Sequence, residues 1–182
     1  MNNIFDSFIM NSEVDSSTIQ KYGNKVPQEL LNIWETKGYG SILNGYLRII
    51  DPDKYMSIIQ KYYFKGKESI PILSTSFGDI IVWQENKYIS IVNFKNHSYN
   101  IISSGFKYFW HDLTDSAFRK DFFDEELHEE VVQQVGIANY NQIYGFFPLL
   151  PISNDNNISN IKIVNTVEHL EIIGKMFGCI NN

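Results

Sequence analysis

The stretch from Ile70 to Ile102 constrains this chain more than any other, because four short β-branched and aromatic runs follow one another with almost nothing between them. The runs are Ile70–Ser74, Ile80–Gln84, Tyr88–Phe94 and Ser98–Ile102, joined through Phe77-Gly78-Asp79, Glu85-Asn86-Lys87 and Lys95-Asn96-His97. Connections this tight join antiparallel neighbours, whereas parallel strands need crossovers of about a dozen residues or more. The spacing predicts an antiparallel meander and disfavours a doubly wound parallel sheet here.

On both sides the apolar period becomes helical. Ile4, Phe5, Phe8 and Ile9 fall on one side of a 3.6-residue repeat and predict a short amphipathic helix, ended by the polar run Asn11 to Ser17. Pro27 suits the first turn of a helix carrying Leu30, Leu31 and Trp34 on one face, with Gly38 and Gly40 at its exit. After the Gly-rich segment Gly38 to Gly45 and the apolar run Tyr46 to Ile50, Asp51 can cap a helix over Asp53 to Tyr63, with Pro52 at its first position. Asp112 to Gln134 is helical in pattern up to Gly136, with a break expected near Phe123-Asp124. A Ser/Asn-rich loop, Ser153 to Asn160, precedes Ile161 to Val164. Asn165 with Glu168 then forms a capping-box pattern for a last helix through Met176. The predicted class is α+β, a small antiparallel β-meander packed with helices from both ends of the chain. At 182 residues the whole length, 1–182, is expected to be a single compact unit.

With 15 Lys+Arg against 21 Asp+Glu the net charge is -6, which argues against a surface made to neutralise phosphates, so direct nucleic-acid binding is not expected. The single cysteine, Cys179, allows no intrachain disulfide and no Cys-based zinc site, and points to a cytoplasmic protein. The N-terminal residues carry no basic leader, and the most apolar stretch, Tyr144 to Ile152, is short and cut by Pro148 and Pro151, so no membrane association is expected.

No motif of catalysis emerges. The glycines at 38, 40 and 45 do not fit G-x-G-x-x-G, and Gly66-Lys67 lacks the Ser or Thr of a phosphate loop. His97, His111, His128 and His169 are scattered; His111, Asp112 and Asp115 adjoin one another, and the simpler reading of that group is a polar turn and helix cap. There is no G-x-S-x-G, and Cys179 has no basic neighbour to activate it. No cofactor, metal or catalytic residue is expected. The densest charge feature is Asp121, Asp124, Glu125, Glu126, Glu129 and Glu130, which on a helix spreads over a face opposite Leu127 and Val131. Such a face either simply meets water or steers a basic partner, with Arg119 and Lys120 beside it weakening the field. Tyr39, Tyr46 and Tyr144, near glycine turns, either half-bury or rim a pocket or interface.

Two groups of motifs resemble a known pair of modules. LLNIWETKGYGSILNGYLRIIDPDKY and IPILSTSFGDIIVW are similar to the signature of the GAD-like family, over about residues 1–105. Val135-Gly136, YGFFPLLPI and VEHLEIIGKMF resemble the DUF1851 module, over about 106–182. The joined arrangement resembles immunity proteins that bacteria pair with DNase effectors of the type VI secretion system. That resemblance implies a protein that binds and blocks a cognate toxin or effector, with no catalysis of its own; charge, separately, makes Asp121, Asp124, Glu125, Glu126, Glu129 and Glu130 the candidate partner-binding residues. The alternative is a small-ligand or RNA-related binding module similar to GAD domains. One departure stands out: Pro151-Ile152-Ser153-Asn154-Asp155 occupies the place of a Gly-Gly pair.

Overall fold

A computed structural model describes residues 3–153 and 157–181. Seven strands form one antiparallel sheet in sequence order: β1 (Ile9–Ser12), β2 (Tyr39–Ile42), β3 (Leu47–Ile49), β4 (Ser69–Thr75), β5 (Ile80–Gln84), β6 (Tyr88–Asn93) and β7 (Ser98–Ser104). The four predicted runs are β4 to β7, so the meander is present and larger than expected. Helices α1 (Ser16–Tyr22) and α2 (Gln28–Lys37) lie between β1 and β2, and α3 (Pro52–Tyr62) between β3 and β4. After the sheet come α4 (Phe109–Asp112), α5 (Ser116–Phe122), α6 (Glu125–Val135), β8 (Gln142–Phe146), α7 (Leu150–Ser153), β9 (Ile161–Asn165) and α8 (Thr166–Phe177). Strands β8 and β9 pair as a separate antiparallel ladder.

Local chemistry accounts for the boundaries that match. Asp51 accepts from Asp53 N at 3.0 Å and Pro52 begins α3. Asn165 accepts from Glu168 N at 3.2 Å and opens α8. The expected break near Phe123-Asp124 separates α5 from α6.

The first dozen residues are not a helix. Ile4 and Phe5 are buried in a turn, and Ile9 and Met10, 64% and 53% exposed, belong to the edge strand β1. Four apolar residues at helical spacing also suit a turn followed by a strand, and here pairing decides: Met10 lies opposite Gly40, whose missing Cβ leaves room for the Phe8 ring. The polar run Asn11 to Ser17, expected to end a helix, instead closes β1 and supplies Asp15 as the cap of α1, accepting from Ser17 N at 2.7 Å. The Gly-rich segment Gly38 to Gly45 likewise contains β2, and β8 lies within the stretch from Tyr140 to Ile152. Where a Gly-Gly pair was expected, Pro151 to Ser153 continue the helical turn α7; Asn154 and Asp155 lie outside the described residues, as does part of the Ser/Asn-rich loop.

Cores lie on both faces of the sheet. Along β5, Ile81 and Trp83 join a core with Leu30, Trp34 and Phe106, while Ile80 and Val82 join one with Ile58, Ile59, Leu170 and Ile173 from α3 and α8. A strand covered on both sides has no polar face, which is why IIVW is a continuous apolar run. The β4–β5 turn carries the second ladder: Tyr144 N donates to Ser76 O at 2.9 Å. Gly78 there has φ +86°, and a Cβ would sit 2.6 Å from Ile143 Cδ1, so the turn needs glycine for conformation and for space.

Candidate functional site

Helices α5 and α6 are short amphipathic segments joined by Phe123 and Asp124. Asp115 accepts from Ala117 N at 2.9 Å and opens α5. This is the cap reading of the His111, Asp112 and Asp115 group; among the described residues no three His, Cys, Asp or Glu side chains are placed to hold a metal ion. Helix α6 buries His128 and Val131, leaving Glu126, Glu129 and Glu130 exposed.

The two helices enclose a groove of about 640 Å³ lined by Asp124, Glu125, Glu126, Glu129 and Glu130, together with Arg119 and Lys120. Five of the six candidate carboxylates therefore share one concavity, and Asp121 is exposed on α5 outside its lining. Their electrical roles differ. Glu125 Oε2 is 2.6 Å from Arg119 Nε, with both side chains largely buried. Glu126 is 3.0 Å from Lys120 in an exposed pair, a kind worth about 0–1 kcal/mol. Asp124 is paired with Lys95. Asp121, Glu129 and Glu130 have no ion-pair partner among the described residues, so the uncompensated negative potential concentrates on them.

A network of buried polar groups seats this groove on the sheet. Lys95 Nζ bridges Asp124 and the buried Asp79, the latter at 3.0 Å, and stands 5.2 Å from the Phe77 ring centroid. Burial alone would pull the Lys95 ammonium down; the charges of Asp79 and Asp124 outweigh it and hold the group above the ordinary lysine value. Asp124 N donates to Tyr46 Oη at 2.8 Å. Arg48 of β3 is buried and donates to the carbonyls of Tyr140 and Gln142, and Tyr140 Oη donates to Ile49 O.

His128 is a buried support of the groove that the sequence did not single out among its four scattered histidines. Its position three residues before Val131, on the apolar side of α6, was the available signal. Nε2 lies 3.1 Å from Asn44 O and Nδ1 2.9 Å from Ser76 Oγ. A carbonyl only accepts, so Nε2 carries a hydrogen; burial favours the neutral ring, and in that form Nδ1 accepts from the Ser76 hydroxyl. Burial lowers its pKa, the Asn44 hydrogen bond opposing, and burial lowers that of His169 too. A histidine protonated more readily unfolded than folded contributes fully above the unfolded value of about 6.5, and its contribution is lost as pH falls through the depressed folded value. The urea midpoint is expected to fall as pH drops below about 6.5, and His128→Gln to make that fall shallower. An identical pH profile in the variant would contradict this assignment.

The three tyrosines are interior and do not rim the acidic groove. Tyr39, Tyr46 and Tyr144 are 6%, 1% and 1% exposed. Tyr46 packs against Phe77, Phe123 and His128, while Tyr144 Oη donates to Gly136 O at 2.7 Å and accepts from Ala138 N at 3.1 Å. The Tyr46 and Tyr144 hydroxyls are consumed internally, as a buried tyrosine requires, whereas that of Tyr39 is buried with no hydrogen-bond partner among the described residues.

Fold and site together define an α+β protein with a helical groove lined by five carboxylates, one arginine and one lysine. The chain belongs to the GAD-like domain family, whose profile matches residues 2–95. Residues 103–177 match a second profile, described as the C-terminal part of T6SS immunity protein Tdi1, which supports an immunity role and suggests a non-enzymatic one. Among solved structures, the crystal structure of Atu4351 from Agrobacterium tumefaciens is similar in fold, with a TM-score of 0.72 at 16% identity over 94% of this chain and 86% of that one. No curated protein matches the chain. No helix among the described residues is long and apolar enough to cross a membrane.

Proposed function

We propose that this chain is an immunity protein that neutralises a cognate toxin, a nuclease effector, by covering the toxin's basic surface with the α5–α6 face. One coincidence carries the reading. Residues 103–177, the stretch similar to the T6SS immunity protein, contain five Lys and Arg against eleven Asp and Glu, whereas the rest of the chain holds ten of each. The whole net charge thus sits in that module, and the groove lies inside it. A nuclease must present cations to phosphates, and a rigid carboxylate surface competes for them without any reaction. The buried bridges from Lys95, Tyr46 and Ser76 to α6 and its cap, and from β3 to Tyr140 and Gln142, support reading 1–182 as one compact unit, so the groove is held in a fixed shape. The single cysteine supports the cytoplasm as its place of action.

The test is co-expression with the product of the neighbouring gene, the expected effector. A stoichiometric complex is expected, in which the effector no longer cleaves DNA and which dissociates more readily at high salt. Failure of any effector to co-purify, or full cleavage by the complex, would overturn the proposal.

A further inference from the structure

A second groove lies at the other end of β4. The end of that strand leads to Ser76, which bonds His128 beneath the acidic face, while its start, Ser69 and Ile70, lines a groove of about 600 Å³ with the end of α1, α3 and the end of β5. At ~3.3 Å per residue the two ends are roughly 20–25 Å apart. This groove has the opposite electrical character. Lys21, Lys25 and Lys67 line it against a single carboxylate, Glu68. Lys21 is held by Asp53 at 2.6 Å, whereas Lys25 and Lys67 are exposed and have no carboxylate partner among the described residues. The floor is apolar, with Trp83 buried and Met56 and Ile70 half-buried. Asn24 and Gln60 add exposed carboxamides with no hydrogen-bond partner among the described residues, each able to donate to and accept from a main chain.

We propose that this groove binds an extended acidic segment of a protein partner, with carboxylates on Lys25 and Lys67 and apolar side chains over Met56 and Trp83. Charge complementarity selects the occupant. A nucleic acid offers phosphates but needs more cations than three lysines supply, meets Glu68 in the lining, and is repelled along its length by the acidic module. A short segment alternating carboxylates with apolar residues satisfies lysines, carboxamides and floor together. The groove shares no residue with the α5–α6 face and stands apart from the immunity reading.

The experiment uses the full chain and fluorescence anisotropy of a labelled ten-residue peptide alternating Glu with Leu or Tyr. Saturable binding is expected, weakened severalfold between about 50 mM and about 200 mM salt. Lys25→Glu/Lys67→Glu is expected to weaken it about tenfold or more, since each exposed pair lost is worth up to about a factor of five. Glu129→Lys/Glu130→Lys, on the other groove, is expected not to weaken it. Absence of saturation, binding unchanged in the lysine variant, or tighter binding of an oligodeoxynucleotide of equal charge would each overturn the proposal. Lys25 and Lys67 are both exposed, so the variant keeps the fold intact for the comparison.

Discussion

Lys95→Met is expected to destabilise the protein by about 3–5 kcal/mol, the range for removing one partner of a buried ion pair. Asp79 is 1% exposed, its Oδ1 has no hydrogen-bond partner among the described residues, and its Oδ2 relies on Lys95 at 3.0 Å and Thr75 Oγ1 at 3.4 Å. Without the ammonium a carboxylate remains inside the protein with almost nothing to balance it. The same substitution releases Asp124 and with it the tie between the meander and the start of α6. Urea denaturation measures the loss, and hydrogen exchange is expected to show α6 opening before the central strands. The double variant Lys95→Met/Asp79→Asn is expected to regain most of the stability, because it removes the stranded charge rather than merely its partner. A single variant within about 1 kcal/mol of the parent would mean that Lys95 is not what balances Asp79.

Glu129→Lys/Glu130→Lys is expected to slow association with the cognate effector by about ten- to a hundredfold at low salt, with a flattened salt dependence and a smaller change in the dissociation rate. These two carboxylates line the groove and have no ion-pair partner among the described residues, so reversing them changes the sign of its potential while leaving the fold's own ion pairs in place. Glu126→Gln is the informative comparison. Lys120 already accompanies Glu126, and neutralising it is expected to alter the association rate by less than about threefold. Glu125 is unsuitable for such a test, because it holds Arg119, which also donates to Leu113 O at 2.7 Å. Stopped-flow association over a range of salt concentrations reads these effects. Rates indifferent to both charge reversal and salt would remove this face from the interface.

Much of this fold is legible in the sequence. Runs such as Ile80 to Gln84 between tight turns could only be neighbouring antiparallel strands, and Asp51-Pro52 and Asn165 announced their helices because a cap is a local hydrogen bond. The carboxylates from Asp121 to Glu130 were legible as a charge feature for the same reason: they are close in sequence. The edge strand β1 was not, since four apolar residues fit a strand as well as a helix until Gly40 is placed opposite Met10.

By itself the sequence determined the elements whose cause lies within a few residues: turns, caps, the alternation of the meander and the sign of the acidic module. Only the tertiary structure decided which charges stay available, because Lys95, Arg119 and Lys120 select Asp124, Glu125 and Glu126 by proximity in space and leave Asp121, Glu129 and Glu130 uncompensated. It also decided that His128 and the three tyrosines are interior supports rather than surface groups. The reason is physical: hydrogen-bonded turns and caps are satisfied locally, whereas burial and charge pairing depend on how separate elements pack, across the α5–α6 joint for Arg119 and Lys120 and over 29 and 84 residues of chain for Lys95 with Asp124 and His128 with Asn44.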